Sequence, residues 1–366
     1  MVQCVLSGAR MRLRSVSCAL CACVLLAAIP ALGAKGKKAD AETAPWPELL
    51  LDGGRKLTYE RTLTSQRDIR GKRSFWTKLV DAVAGEPNYK EMVRPYGVVL
   101  DSHGRIIVSD PGMSGVHIFD VAQHKYKFLE RQEDRKNPML QPQCVTVDAH
   151  DNIYVTDSKS GKVFMFEPGG KYRGVLGSLK GGEGMFKRAT GIAIDPETQN
   201  IYVTDTLRDR VYVLDPKGRV IRTIGQRGDG KGEFNFPTEL LIRNGMLAVV
   251  DAMNFRVQFF DRNGVFQNAI GEIGDGRGDF FRPKGIGLDS ENHLYVVEAE
   301  SGVVQVFDLA GQLLYYFGAG SGFGEFHLPA GLFVDQNDRV YVVDSFDRQV
   351  QVFQYHGLKT RAEGRP

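Results

Sequence analysis

From Pro95 onward one pattern returns six times: an apolar strand, a polar turn, a second strand of the form (Ile/Leu)-(Tyr/other)-Val-x-Asp, a polar link, and a third strand near Val-x-Val-Phe. The acidic residue closing the second strand falls at Asp110, Asp157, Asp205, Asp251, Glu298 and Asp344, at intervals of 47, 48, 46, 47 and 46 residues. A strand-built unit that recurs this steadily cannot bury both faces alone, but it can when stacked on its neighbours in a radial array. The 366 residues are therefore read as one closed body with a short N-terminal extension, not as two ordinary domains.

Residues 1–34 stand outside the array. Arg10, Arg12 and Arg14 precede an apolar run from Val16 that ends in the small residues Ala31, Gly33 and Ala34, the order of a secretory signal. Export is expected, to the periplasm, the cell surface or the medium. An uncleaved anchor and lipidation at Cys23 are the competing readings. Cleavage near Ala34 removes Cys4, Cys18, Cys21 and Cys23 and leaves Cys144 alone, which excludes an intrachain disulfide or a cysteine-held metal. Three of the 47 basic residues and none of the 44 acidic ones lie in that segment, so the remainder is balanced in charge. Without a basic excess, nucleic acid is not an expected partner.

Residues 35–55, rich in Ala, Lys and Glu with Pro45 and Pro47, read as a flexible tether. Lys56 to Thr64 alternates Leu57, Tyr59, Arg61 and Leu63 and reads as a strand. Five repeats own a fourth strand, at Tyr126–Glu130, Tyr172–Gly177, Val220–Gly225, Phe266–Gly271 and Leu313–Gly318. The sixth runs instead into a polar tail, residues 358–366. Pairing the spare N-terminal strand with the last repeat would close the ring and cover its edge. Between that strand and the first repeat, within residues 56–90, Phe75, Trp76, Leu79, Val80 and Val83 share one face at helical spacing. A short amphipathic helix is predicted there, either packed on the body or docking a partner or membrane through Phe75, Trp76 and Leu79.

The inner strands open with Pro95-Tyr96-Gly97, Pro142-Gln143-Cys144, Ala189-Thr190-Gly191, Pro237-Thr238-Glu239, Pro283-Lys284-Gly285 and Pro329-Ala330-Gly331. Glycine-rich connections precede several of them, as in Gly225 to Phe234, Gly271 to Phe280 and Gly318 to Phe326. Gly-x-Gly-(Glu/Asp)-Phe, then Pro-x-Gly, an apolar strand to Asp, and a Tyr-Val-x-Asp strand with Arg256-Val257-Gln258-Phe259-Phe260 resembles the NHL repeat from Glu91 to about Tyr355. The resemblance implies a six-bladed β-propeller over residues 91–357, with four antiparallel strands per blade around a central channel. It also implies an exported bacterial protein accessory to cell-envelope assemblies, including those built around multihaem cytochromes. No Cys-x-x-Cys-His motif occurs, so this chain carries no haem itself. The amidating-lyase branch of the same family holds zinc with histidines around the channel. Here His103, His150 and His293 fall in turns, His117 and His124 in outer strands, and His327 and His356 elsewhere, so no metal and no cofactor are expected.

The glycine-rich connections run into strands instead of helix N-termini, which argues against phosphate loops and for turns anchored by Phe234, Phe280 and Phe326. Six symmetric carboxylates argue against catalysis; each is expected to accept N–H bonds from its own link. Glu239 breaks the symmetry, replacing Gly at the head of the fourth inner strand. Its ring-mouth neighbours are Tyr96, Gln143, Thr190, Thr238 and Lys284. Two readings stand: an ion pair with Lys284, or a small polar ligand or partner side chain gripped at the channel mouth. Cys144, at another of the Gly positions, reads as a small buried apolar group. No catalytic residue is assigned. The expected function is a non-enzymatic scaffold for a protein partner or ligand, the alternative a metal-dependent enzyme resembling an amidating lyase or a lactonase. Recognition is expected at the links Met113-Ser114, Lys159-Ser160, Leu207-Arg208, Met253-Asn254, Glu300-Ser301 and Phe346-Asp347, where the copies differ most.

Overall fold

A computed structural model describes residues 48–71, 88–130, 138–179, 183–319 and 324–358. The expected signal segment, the helix carrying Phe75, Trp76 and Leu79, and the tail after Leu358 lie outside these residues. The chain is a six-bladed β-propeller of four-stranded antiparallel blades. From the axis outward, the first blade is Val98–Leu100, Ile106–Asp110, Gly115–Asp120 and Lys125–Leu129. The inner strands of the next five are Pro142–Val147, Ala189–Ile194, Pro237–Arg243, Pro283–Leu288 and Pro329–Val334.

The second strands explain why the repeats must stack. Ile153–Asp157, Ile201–Asp205 and Leu294–Glu298 are buried at every residue, so side chains pointing to either face of a blade meet another blade. Ile107 turns to the seam with blade two, whereas Ile106 and Val108 turn to the seam with blade six. Six apolar clusters among the described residues fill the six seams. Phe234, Phe280 and Phe326, the expected anchors of the glycine-rich connections, are buried in three of them.

The ring closes as the odd strand count requires. Lys56–Leu63 pairs antiparallel with Gln349–His356, from Lys56 opposite His356 to Leu63 opposite Val350. One strand more is present than the sequence pattern revealed: Glu48–Leu50 pairs with Lys56–Thr58 and gives the last blade five strands. The stretch expected as tether therefore ends by Glu48. Leu49 and Leu51 pack on the seam between blades five and six, and Arg55 bonds Glu291 at 3.0 Å, which fixes this segment to the body.

Both glycine-bearing inner-strand heads that meet where the ring closes are dictated by close approach. A Cβ on Gly331 would lie 2.2 Å from the carbonyl oxygen of Tyr96, and one on Gly97 would lie 2.9 Å from that of Gln143. Neighbouring backbones touch here, leaving no room for a side chain. In blades two to six the pairing register shifts at this point, between Pro142 and Val145 in blade two for example. In the first three blades a hydroxyl ties the strand head to the next blade. Ser109 Oγ accepts from Gly97 N at 2.9 Å and donates to the Gln143 carbonyl. Thr156 does the same between Cys144 N and the Thr190 carbonyl, and Thr204 between Gly191 N and the Thr238 carbonyl. Blades four to six carry Val250, Val297 and Val343 at that position.

The repeated carboxylates are structural, with a wider task than the link alone. Asp157 accepts from Lys159 N and Ser160 N of its own link and also from Leu140 N and Gln141 N, just before the inner strand. Asp344 similarly takes His327 N, Leu328 N, Phe346 N and Asp347 N. One buried carboxylate thus fixes two connections at the same end of each blade.

Candidate functional site

At that end of the ring the inner-strand heads surround one mouth of the channel. Five of the six residues expected there are the second residues of their Pro-x-Gly segments or equivalents: Tyr96, Gln143, Thr190, Thr238 and Lys284. They divide into structural and available groups. Thr190 Oγ1 lies 2.8 Å from both Thr204 Oγ1 and Thr206 Oγ1 and donates to the Thr238 carbonyl at 3.0 Å. Gln143 is buried, and its carbonyl is held by Ser109. These two serve the seams. Among the described residues Tyr96, Thr238 and Lys284 keep uncommitted polar groups: the buried Thr238 Oγ1 has no partner there, and the Lys284 ammonium lies 5.6 Å from the centre of the Tyr96 ring.

Glu239 does not form the expected ion pair with Lys284. Its Oε2 accepts from Cys144 Sγ at 2.8 Å instead. Cys144 and Glu239 hold equivalent positions in blades two and four, and the intervening blade has Gly191 there, whose missing side chain leaves the path between them open. Cys144 is therefore buried as expected but polar in its contact, not a plain apolar filler.

Burial displaces the proton equilibria of the whole set. It raises Glu239 to about 7, partly offset by the bonds from Cys144 and from Leu240 N. Cys144 is pushed well above the usual thiol range by burial and by the adjacent carboxylate. The Tyr96 phenol is raised by burial, then by Cys144 and Glu239. Lys284 falls to about 8 through burial and the positive charges of Arg282 and Arg94. Cys144 should accordingly resist a disulfide reagent: labelling of the native protein at neutral pH is expected to be at least about 100-fold slower than after denaturation. Comparable rates would show that the thiol is open to solvent.

Three residues of the mouth escaped the sequence reading. Arg94, Arg188 and Arg282 directly precede the segments Pro95-Tyr96-Gly97, Ala189-Thr190-Gly191 and Pro283-Lys284-Gly285 of blades one, three and five, and all are exposed. Their signal was available as a basic residue in the same register of alternate repeats.

The histidines are dispersed, as their spacing implied, but not all are solvated. His117 is fully buried, with Nε2 3.2 Å from Asp110 Oδ2 and Nδ1 2.8 Å from the Tyr126 hydroxyl. Two groups among the described residues have ligand atoms close enough for one ion, Asp101 with His103 and Asp151, and His327 with Asp344 and Asp347. Their carboxylates are already engaged. Asp101 accepts from His103 N and Arg105 N, Asp151 from Ser102, and Asp344 from four backbone amides.

The far mouth, at the turns between first and second strands, differs in character. A cavity of about 440 Å³ opens there, lined by apolar residues that include Leu241, Ile286, Leu288, Phe333 and Val334.

A family described as a 6-bladed β-propeller matches residues 197–257 and 237–319, within blades three to five. Among solved structures, a streptogramin B lyase is similar at 13% identity, covering 72% of this chain and 94% of its own, with a TM-score of 0.55. Virginiamycin B lyase from Staphylococcus aureus is similar at 13% identity over 82% of this chain and 99% of its own, with a TM-score of 0.53. Kuenenia stuttgartiensis hydrazine synthase gives 12% identity, 72% and 96% coverage, and a TM-score of 0.52. No curated protein sequence matches. At these identities the likeness shows the fold, and one fold hosts both enzymes and binding modules.

Proposed function

We propose that this chain is an exported, non-enzymatic propeller of NHL type that binds a protein partner in the cell envelope through the face around the channel mouth. The carrying observation is a group of exposed large apolar side chains on this face, although others, such as Leu50 and Val265, lie on outer strands and turns. Phe346 at 69% exposure, Ile273 at 64%, and Met253 and Phe281 at 52% all stand on this face, joined by Val93 and Phe236. Met253 and Phe346 come from links after second strands, Val93, Phe236 and Phe281 from just before inner strands, and Ile273 from a glycine-rich connection. Apolar groups displayed together on one rigid face favour association with another surface. A hollow of about 310 Å³ beside Phe281, lined also by Asp279, Glu298 and Glu300, offers a seat for a projecting side chain.

The test is capture of crosslinked partners from envelope fractions by the full chain and by a Phe281→Ser/Phe346→Ser variant. Loss of the captured species at an unchanged melting temperature is the expected result. Undiminished capture by the variant would overturn the proposal. Loss on changing Phe75 and Trp76 to Ala, with the face intact, would move the docking surface to the N-terminal segment.

A second reading rests on a different observation. Glu239 near 7, Lys284 near 8, Tyr96 and Cys144 form an asymmetric set of perturbed groups, the kind that acid–base catalysis uses. Under that reading the chain is a lyase or hydrolase, and Glu239→Gln would abolish turnover while leaving partner capture intact.

A further inference from the structure

The charge around the mouth is not what a balanced chain needs for its fold. Arg94, Arg188 and Arg282 sit in one repeat position of alternate blades; the blades between them have Gln141, Phe236 and Leu328 there. The Arg94 and Arg188 guanidinium groups have no hydrogen bond or ion pair among the described residues; only their backbone amides are engaged, by Asp110 and Asp205. Arg282 reaches one carboxylate, Glu300, at 3.5 Å with both side chains more than half exposed. Two residues beyond Arg282, the ammonium of Lys284 has a ring face and, among the described residues, no carboxylate as its ion-pair partner.

The fields of these cations overlap at the mouth. Arg282 and Arg94 both act on Lys284 and disfavour its charge, while Arg188 and Arg282 act on the Tyr96 phenol. Glu239, the acidic residue at the inner-strand heads, is turned to Cys144. Like charges gathered in one place oppose folding. An anion seated among them reverses the sign of that interaction and receives charge-assisted hydrogen bonds. The Thr238 hydroxyl, unpartnered among the described residues, supplies a neutral donor at the same strand heads. Three arginines at one repeat position of alternate blades thus stand around the same mouth of the ring.

We propose that this mouth of the channel binds a small multivalent oxyanion, a phosphate- or polycarboxylate-bearing molecule, with Arg94, Arg188 and Arg282 around it and Lys284 deeper in the channel. The proposal goes beyond partner capture, because an apolar rim can hold a protein whether or not the cations hold an anion.

Calorimetric titration of the full chain at neutral pH and fixed ionic strength tests it, with inorganic phosphate in one arm and citrate in the other. One anion per chain is expected to bind. Arg188→Gln/Arg282→Gln should weaken binding at least about tenfold, and Lys284→Met should also weaken it. Arg219→Gln, which alters an exposed arginine paired with Asp215 in an outer turn, should leave it unchanged. Preference for phosphate or for citrate assigns the ligand class, and binding of both supports the shared chemistry. The proposal fails if neither anion binds at about 10 mM, or if the double variant and Arg219→Gln bind like the unaltered protein. Melting curves of each variant without anion identify any that is misfolded; Arg94→Gln then replaces it.

Discussion

Deletion of residues 1–64 is expected to leave a protein that unfolds at markedly lower denaturant or aggregates on expression. The lost strand does more than cover an edge. Leu57 is fully buried in the seam between blades five and six, and Leu63 in the seam between blades six and one, so one strand plugs both seams of the last blade. Removing two such side chains costs about 2–5 kcal/mol each. The Tyr59 ring stands edge-on to Phe353 at 5.8 Å, and Glu60 receives Arg339 Nε at 3.1 Å on both oxygens. Loss of these contacts, with a bare strand at Gln349–His356, takes away an amount comparable with the whole stability of a typical domain, about 5–15 kcal/mol. Urea denaturation followed by fluorescence, with size-exclusion chromatography, gives the readout. An unchanged midpoint and a monomeric elution volume would show that the pairing contributes little.

Glu239→Gln is expected to stabilise the protein above pH 7 and to do little near pH 5. The carboxyl has a folded-state pKa of about 7 against an ordinary value of 4.5, so between those values the folded chain holds more of the proton than the unfolded chain does. Stability from this group is then fully present below 4.5 and is lost as pH rises through about 7. Gln, neutral at every pH, does not suffer that loss. The shift corresponds to about 2 kcal/mol once the channel exposure of the side chain is allowed for. The groups facing it are the Cys144 thiol, the Tyr96 phenol and the Leu240 amide. Lys284 acts in the opposite sense and in a higher window, since its pKa is lowered to about 8: its contribution grows as pH rises from there to 10.5. Denaturation midpoints of both proteins at about pH 5 and about pH 7.5 isolate the carboxyl. A difference between variant and unaltered protein that is the same at both pH values would contradict the assignment.

The blades were legible because a strand buried on both faces allows few residue types, and six copies of Tyr-Val-x-Asp or its variants impose that constraint six times. Closure was legible for a related reason: Leu57 and Leu63 alternate with polar residues, and the last repeat has no fourth strand of its own to receive. Glu48–Leu50 was not, since three residues between Pro47 and Asp52 carry too little periodicity, and what fixes them is the pairing with Lys56–Thr58. At the mouth the contacts differ from those expected. Sequence adjacency around the ring suggested Glu239 with Lys284 in the next blade, whereas Gly191 opens the route to Cys144 in the other direction. Ring neighbours follow from repeat order, but which way a side chain turns depends on the gaps beside it. Arg94, Arg188 and Arg282 were overlooked because each stands just outside the Pro-x-Gly segment that drew attention to the strand heads.

The pairing of Lys56–Leu63 with Gln349–His356 also sets an order of events during synthesis. The strand made near the start must wait for a partner nearly 300 positions later, while every other neighbour in a blade arrives within one repeat. Until residue 356 has emerged, five blades can stack in sequence by local hairpins, but the ring stays an open arc with unpaired backbone at both ends. The slow, aggregation-sensitive step of this protein is thus the meeting of its two ends, and holdase protection during biogenesis would be needed at those two strands more than at any blade between them.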